Sequence, residues 1–366
     1  MTLAPPTPTP PPPHNSPDDR RTVQPSVFRG VTPIMTNPTL GPLRFQPILK
    51  RLIWGGRRLG TTLGKGIGPE PDYAESWEIA DHGQDVSRVA NGPWMGRDLR
   101  DLLAVGRRDL LGEAVGDRDH FPLLVKFLDA CRTLSVQVHP DDDLAARLVQ
   151  DRGKTEAWVI LDAEPGSLIY AGLKPGVDRQ RFAQAMNHGT EAVEPLLHRF
   201  EARPGDVVFI PAGTVHAIGA GILLAEIQQM SDATFRVDDW GRLDAQGQPR
   251  TLHRAEALQA IDFNRGPVDP VPTTPRPIPG GTHEHLIECH YFLIERWHLN
   301  RATVLGRPDR FTIIVVLEGR GRLVDRDHLG HPLKAGQTLL LPASAGRCLL
   351  APEVDSTLRV LTCTVP

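Results

Sequence analysis

Two histidines, a glutamate and a glutamine stand in this sequence where apolar runs begin or end, and together they make a donor set for a divalent cation. The stretch LSVQVHPDDDLAARLVQDRGKTE, from Leu134 to Glu156, opens on residues that favour strands. Side chains alternate along a strand, so Gln137 and His139 leave one face together. Pro140 and the acidic Asp141, Asp142 and Asp143 end that strand, and Leu144, Leu148 and Val149 give a short helical pattern. Glu156 then stands at the entrance of another apolar run, AWVILD. Further on, in PGDVVFIPAGTVHAIGAG, Gly205, Pro211 and Gly213 punctuate a strand over Val207 to Ile210 and hand His216 to the next strand. Neutral imidazole, carboxylate and amide oxygen form a borderline ligand set, suited to Zn²⁺ and also to Fe²⁺ or Mn²⁺.

Successive short strands must position these four residues. The order Q-x-H, E, H then reads as a cupin-type metal site inside a jelly roll. The competing reading is a β core with two satisfied histidines and a surface glutamate. A further candidate is Lys126, because FPLLVKF is a nearly continuous apolar strand interrupted by one lysine. An ammonium there is costly unless it has a partner or reaches a cavity. Short amphipathic helices are expected around Leu99, Leu102, Leu103, Leu110 and Leu111. VDRQRFAQAMNHGTEAVEPLLHRFE reads as two helices, with His188 and His198 on the surface, and LHRAEALQAIDF as another helix.

The chain has 366 residues, with 41 basic and 44 acidic side chains, so no concentrated charge points to nucleic acid or to an anionic membrane. Cys131, Cys289, Cys348 and Cys363 are scattered without a C-x-x-C pair, which argues against a disulfide framework and for a reducing, cytoplasmic setting. No apolar run approaches the roughly twenty residues of a membrane helix. The expected organisation is a proline-rich disordered tail over residues 1–40 and a metal-binding, catalytic cupin with helical insertions over 41–265. A linker over 266–282 and a degenerate cupin over 283–366 follow. The fold class is therefore all-β dominated, two cupin-type jelly-roll domains with a small helical insertion. The second cupin emerges when Gly205 is set on Gly336, Pro211 on Pro342 and Leu161 on Leu317. Arg347 then takes the place of His216 and Thr312 that of Glu156, so the second copy lacks the donor set. A second anion site at Arg347, His328 or His331 is the alternative use of that half.

The segments FPLLVKFLDA, LSVQVHPDD, GKTEAWVIL, PGDVVFIPAGTVHAIG, and LLAEIQQMSD followed by FRVDDWGR occur in one order. In this the chain resembles the type I mannose-6-phosphate isomerases in their shorter bacterial form, from Leu43 to the C-terminus and most strongly between Phe121 and Arg242. Trp54-Gly55-Gly56 and Glu75-Ser76-Trp77-Glu78-Ile79 are further shared phrases, and Trp77 is either core or a wall of a sugar pocket. The resemblance implies interconversion of mannose 6-phosphate and fructose 6-phosphate by proton transfer between neighbouring carbons. It implies one Zn²⁺ per chain held by Gln137, His139, Glu156 and His216, and a small sugar phosphate as partner of a monomer or homodimer.

The resemblance also implies pocket roles for Arg236, Lys126, Lys154 and Asp232, with Arg236 facing a developing oxyanion. Phe235 and Asp239 are expected to depart from the family phrase T-Y-R-V-Y-D-W, with Asp239 near a phosphate pocket or paired with Arg242. Rival readings are a cupin of other chemistry, an iron oxygenase or sugar epimerase, and a sugar-binding cupin without activity.

Overall fold

The computed structural model of the chain describes residues 39–366 except 117 and 244–246. The tail expected over residues 1–40 lies outside the described residues but for its last two, of which Leu40 is buried. The first half of the described chain begins with β1 (Ile48–Gly56), the turn α1 (Arg58–Thr61) and β2 (Tyr73–Ile79). A small hairpin, β3 (Asp81–His82) and β4 (Asp85–Val86), and the helix α2 (Leu99–Leu111) lead to β5 (Leu123–Ala130). Then come β6 (Val136–Val138), α3 (Asp142–Val149), β7 (Glu156–Ala163) and β8 (Leu168–Leu173). The helices α4 (Arg179–Met186) and α5 (Thr190–Val193) precede β9 (Leu197–Glu201), β10 (Val207–Ile210) and β11 (His216–Ile218). β12 (Ile222–Gln229), β13 (Phe235–Asp238) and α6 (Arg254–Ala260) complete this half.

Two antiparallel sheets face each other, one ordered β1-β2-β5-β12-β7-β10 and the other β13-β6-β11-β8-β9. Strand β12 shows why its sequence, ILLAEIQQ, is almost continuously apolar: both of its faces are buried. Leu223, Ala225 and Ile227 point outward into a core shared with the second half of the chain. Ile222 and Leu224 belong to the core between the two sheets, and Glu226 and Gln228 follow them along the same face. Helices α4, α5 and α6 cover the outer side of the second sheet, where Phe182, Met186, Val193 and Ala257 pack with Val136, Val138 and Phe235.

The second half consists of β14 (Arg276–Ile278), β15 (Gly281–Glu288), β16 (Leu293–Leu299), β17 (Thr303–Leu305) and β18 (Thr312–Val324). It ends with β19 (Gly330–Lys334), β20 (Thr338–Leu341), β21 (Cys348–Pro352) and β22 (Leu358–Thr364). Strand β18 serves both walls of this barrel, pairing with β20 and β22 in its first part and with β19 and β21 in its last. Its bend falls near Gly319, which has φ +83° and where a Cβ would come within 2.1 Å of the Thr357 carbonyl oxygen. The outward faces of β16, β18 and β22 (Ile294, Ile313, Val315, Leu361) join Val125, Phe127, Ala157 and Ile227 of the first barrel in one apolar cluster. Phe121 and Phe311 meet across this junction with ring centroids 4.8 Å apart. Each such ring, fully buried, contributes about 1.5–3 kcal/mol.

Most expected elements appear, including the break within α2, where Gly106 leaves helical geometry. One expectation is corrected. The second of the two expected helices is brief, and Leu197–Glu201, LHRFE, is a strand paired with β8. The proline-rich stretch read as a linker lies along the first barrel. Val268 donates to the Ala171 carbonyl and Val271 to that of Val207, and its last residues form β14. No helix among the described residues is long and apolar enough to cross a membrane.

Candidate metal centre and its cavity

Strand register brings the candidate residues together. On the second sheet His216 of β11 pairs with Gln137 of β6, and Gln137 pairs on its other side with Arg236 of β13. On the facing sheet Glu156, the first residue of β7, sits opposite Gln228 and Ile210. His139 follows the end of β6, and its carbonyl accepts from the N–H of Gly213 at 2.8 Å. Gly213 takes φ +87°, so this one turn ties the His139 segment to the segment that delivers His216.

Ligand atoms of His139, Glu156 and His216 lie within 4.8 Å of one another, and all three residues are buried. The His139 and His216 Nε2 atoms stand 3.3 and 3.5 Å from the two oxygens of Glu156. Each Nδ1 bonds a backbone carbonyl at 2.9 Å, that of Ala233 for His139 and that of Thr214 for His216. Such bonds fix the tautomer and leave Nε2 free to ligate. Burial lowers the pKa of both rings, His139 further through Lys154, and His216 to about 3 through burial and His139. Both are thus held as neutral donors.

Neither Glu156 oxygen has a hydrogen-bond partner, although Lys154 Nζ lies 2.9 Å from Oε2. Burial alone would raise the Glu156 pKa, but Lys154 and the two histidines hold it well below the usual range. The Gln137 side-chain nitrogen faces His216 Nε2 at 3.2 Å, and turning the amide over presents its oxygen at the same place. An ionised carboxylate without hydrogen bonds, facing two neutral imidazoles and an amide, fits a divalent cation.

Beside this centre opens a cavity of about 330 Å³, lined by Lys126, Gln137, Lys154, Glu226, Asp232, Arg236 and Arg250 among others. Lys126 is 2% exposed, with Nζ 3.3 Å from Glu226, 3.6 Å from Glu75 and 4.7 Å from the centre of the Trp77 ring. Burial works against its charge, yet Glu75 and Glu226, aided by Asp232 and Glu156, outweigh it and raise the pKa. Glu226, 3% exposed, is raised by burial and by Glu156. Its Oε2 accepts from Trp158 Nε1 at 3.1 Å, whereas Oε1 has no hydrogen bond. Lys154 is nearly buried, 3.2 Å from His139 Nε2, and its pKa is raised because Glu156 and Glu226 outweigh burial. Asp232 is exposed at the rim. Arg236 Nη1 donates to the Thr251 carbonyl, while its buried Nε has no hydrogen-bond partner; burial and Arg250 lower its pKa.

All eight expected site residues are thus gathered around one centre and cavity. Glu226, Glu75 and Arg250 were not expected. The signal for Glu226 was a lone glutamate in a strand buried on both faces, the same signal that singled out Lys126. Trp77 is core, and Trp54 lines the cavity instead. Counting along T-Y-R-V-Y-D-W sets Asp238, not Asp239, at the second tyrosine, and the earlier assignment is corrected. Asp239 pairs with Arg242, as expected, and with Arg250 as well. Phe235 is buried against the helices. His188 is exposed and His198 pairs with Asp269 at 2.8 Å. In the second barrel Arg347 and His328 are exposed and His331 pairs with Asp325 at 2.7 Å.

Residues 43–158 match the family described as phosphomannose isomerase type I, catalytic domain. The mannose-6-phosphate isomerase ManA of Bacillus subtilis is 37% identical over 319 residues, covering 84% of this chain and 95% of its own. That of Streptococcus mutans is 34% identical over 304 residues, 82% of this chain and 92% of its own. The crystal structure of the mannose 6-phosphate isomerase from Bacillus subtilis superposes with a TM-score of 0.81 at 33% identity, over 89% of this chain and all of that one (100%). A phosphomannose isomerase variant from Salmonella typhimurium, at 19% identity and a TM-score of 0.71, shares the fold, over 89% of this chain and 100% of its own. From the matched residues and the extent of these likenesses, this chain belongs to the type I phosphomannose isomerase family.

Proposed function

We propose that this protein interconverts mannose 6-phosphate and fructose 6-phosphate in the cytoplasm, with one Zn²⁺ per chain held by Gln137, His139, Glu156 and His216. The observation that carries the reading is the buried Glu156 carboxylate, which lacks hydrogen bonds, faces two tautomer-fixed imidazoles and adjoins a charged cavity. A divalent cation held by these residues would supply Lewis acidity toward the sugar oxygens next to the carbons that exchange hydrogen.

The chain's own groups do the rest. A proton leaves one carbon and returns to its neighbour, so negative charge develops transiently on oxygen. Arg236, with a buried Nε free of hydrogen bonds at the cavity wall, stabilises that oxygen. Asp232 and Glu226 bring carboxyl groups to the wall. Glu226, whose pKa is raised, is shifted toward holding a proton, as a group that takes and returns one requires. Lys126, fixed between Glu75 and Glu226, and Lys154, beside Glu156, are the ammonium groups available to hydroxyl or phosphate oxygens. Arg250, shared with Asp239, adds a second guanidinium to the rim.

The test is a coupled assay of fructose 6-phosphate formation by purified protein, before and after chelation and after zinc is added back. Turnover should vanish on chelation and return with zinc. Full turnover after complete metal removal, or in a folded His216→Ala variant, overturns the reading.

A further inference from the structure

The small hairpin β3–β4 belongs to neither barrel sheet. It is pinned through Asp81, whose carboxylate accepts from Arg100 Nε and from the Phe121 N–H. The Asp81 N–H lies 3.1 Å from Met230 Sδ. Met230 opens the turn between β12 and β13, which carries Asp232 to the cavity. One residue beyond this anchor, His82 Nε2 meets Asp151 Oδ2 at 2.9 Å. That same oxygen takes the Asp232 N–H at 3.3 Å and lies 3.1 Å from the Ser231 hydroxyl, whose one proton is shared with the Arg152 carbonyl at 2.7 Å, while Oδ1 takes the Arg152 N–H. The turn therefore leans on one carboxylate at two successive residues.

The turn has two products at the site. It presents the Asp232 side chain to the cavity, and its Ala233 carbonyl accepts the Nδ1–H of His139. Ser231 Oγ also accepts the Ala233 N–H at 3.1 Å, so its link to Asp151 bears directly on the residue whose carbonyl orients His139. A carbonyl in this position sets both the ring angle and the tautomer of a ligating histidine.

We propose that His82 and Asp151 form a positioning pair for the reaction: through the turn Ser231–Ala233 they set the Asp232 carboxylate in the cavity and the carbonyl that orients His139. Neither residue lines the cavity, so both act through others. Held in place by the pinned hairpin, His82 keeps Asp151 aimed at the turn, and Asp151 does the holding. Gln228, whose side-chain nitrogen donates to the Ser231 carbonyl, is the rival support. If Gln228 alone suffices, the pair has no bearing on the site.

This inference rests on the proposed metal site for its zinc arm and on the proposed isomerase reading for its kinetic arm. The variants are Asp151→Ala, His82→Ala and the conservative His82→Gln, each checked for native circular dichroism and melting. The first readout, which needs no substrate, is the rate at which zinc-loaded protein loses metal to excess chelator. Asp151→Ala should lose zinc about tenfold faster than wild type, within the range typical of groups that support a metal ligand.

The second readout is the split between kcat and KM for mannose 6-phosphate. In Asp151→Ala, kcat should fall about tenfold with KM within about twofold, as for an interaction that matters mainly in the transition state. His82→Ala should shift both readouts the same way by less, and His82→Gln, which keeps a donor, should recover most of the loss. A folded Asp151→Ala variant with wild-type zinc release overturns the proposal whatever its melting temperature, and so does His82→Gln behaving like His82→Ala. Faster zinc release in a protein that never turns over mannose 6-phosphate supports the positioning pair and sinks the substrate assignment instead.

Discussion

The two barrels hold the same row of residues to different ends. In the first, Lys126, Glu226 and Trp158 stand side by side on β5, β12 and β7. In the second, Glu295, Thr362 and Ile314 occupy the matching row on β16, β22 and β18. Thr312, aligned with Glu156, lines with Thr362, Thr364, Glu295 and Trp297 a cavity of about 170 Å³. Its polar groups satisfy one another: Trp297 Nε1 donates to Thr362, Thr362 to Glu295, and Glu295 meets His283. The first barrel leaves Glu156 and one oxygen of Glu226 without hydrogen bonds. The apolar alternation that builds the wall survives in both halves, so the charges of the first are not needed for the fold. Buried carboxylate oxygens without hydrogen bonds cost stability, and among the described residues they lie in the first barrel alone.

The contrast breaks most sharply at Glu156 and its counterpart Thr312. Glu156→Gln should abolish metal retention and lower turnover by at least about two orders of magnitude, beyond the effect of losing a supporting group. Thr312→Val in the second barrel should leave both unchanged; metal analysis and the coupled assay decide. If Thr312→Val impaired turnover, the second barrel would share in the chemistry.

Next in size, Lys126→Met leaves Glu75 and Glu226 facing one another without their cation. It should cost about 3–5 kcal/mol in urea unfolding, as for a buried pair that loses one partner. Glu295→Gln, at a partly exposed pair, should cost about 1 kcal/mol or less. Equal costs would show that the two rows are energetically alike.

The smallest effect concerns His–Asp pairs at the rims. The pKa of Asp151 is lowered to about 2 because the His82 ring and the Arg152 N–H outweigh burial, and that of His82 is raised mainly by its bond to Asp151. The carboxylate's contribution to stability is present above its ordinary value of 3.8 and lost as pH falls through about 2. The imidazolium's contribution is present below its ordinary 6.5 and lost as pH rises through the raised value. The gap in melting temperature between wild type and Asp151→Asn should therefore be widest between 3.8 and 6.5 and narrow on either side. A gap independent of pH would refute the assignment. Asp325→Asn, which breaks the His331 pair, should change stability and leave turnover alone.

Much of the site was legible because strands write their faces into the sequence at every second residue. Glu156 and His216 each begin a strand, Gln137 lies within one that His139 follows directly, and Lys126 is conspicuous among apolar neighbours. Glu226 carried the same mark and went unread, since ILLAEIQQ looks like an ordinary strand end until both of its faces prove to be covered. Arg250 and the His82–Asp151 pair are out of reach of local pattern, because only tertiary packing brings Arg250 to the cavity and His82 to Asp151. The strand LHRFE reads as helix because it directly follows helical residues, and its pairing with β8 is a long-range fact that local pattern does not contain.

The apolar cluster shared by the two barrels has a consequence for how the molecule comes apart. The back of the sheet that carries Lys126, Glu156 and Glu226 is roofed by Ile294, Ile313, Val315 and Leu361. Cutting the chain before the second barrel would bare that roofline to water, so the first barrel is not a detachable module. Heat should dismantle both halves in a single event, and a lesion in the second barrel would reach the first as lost rigidity.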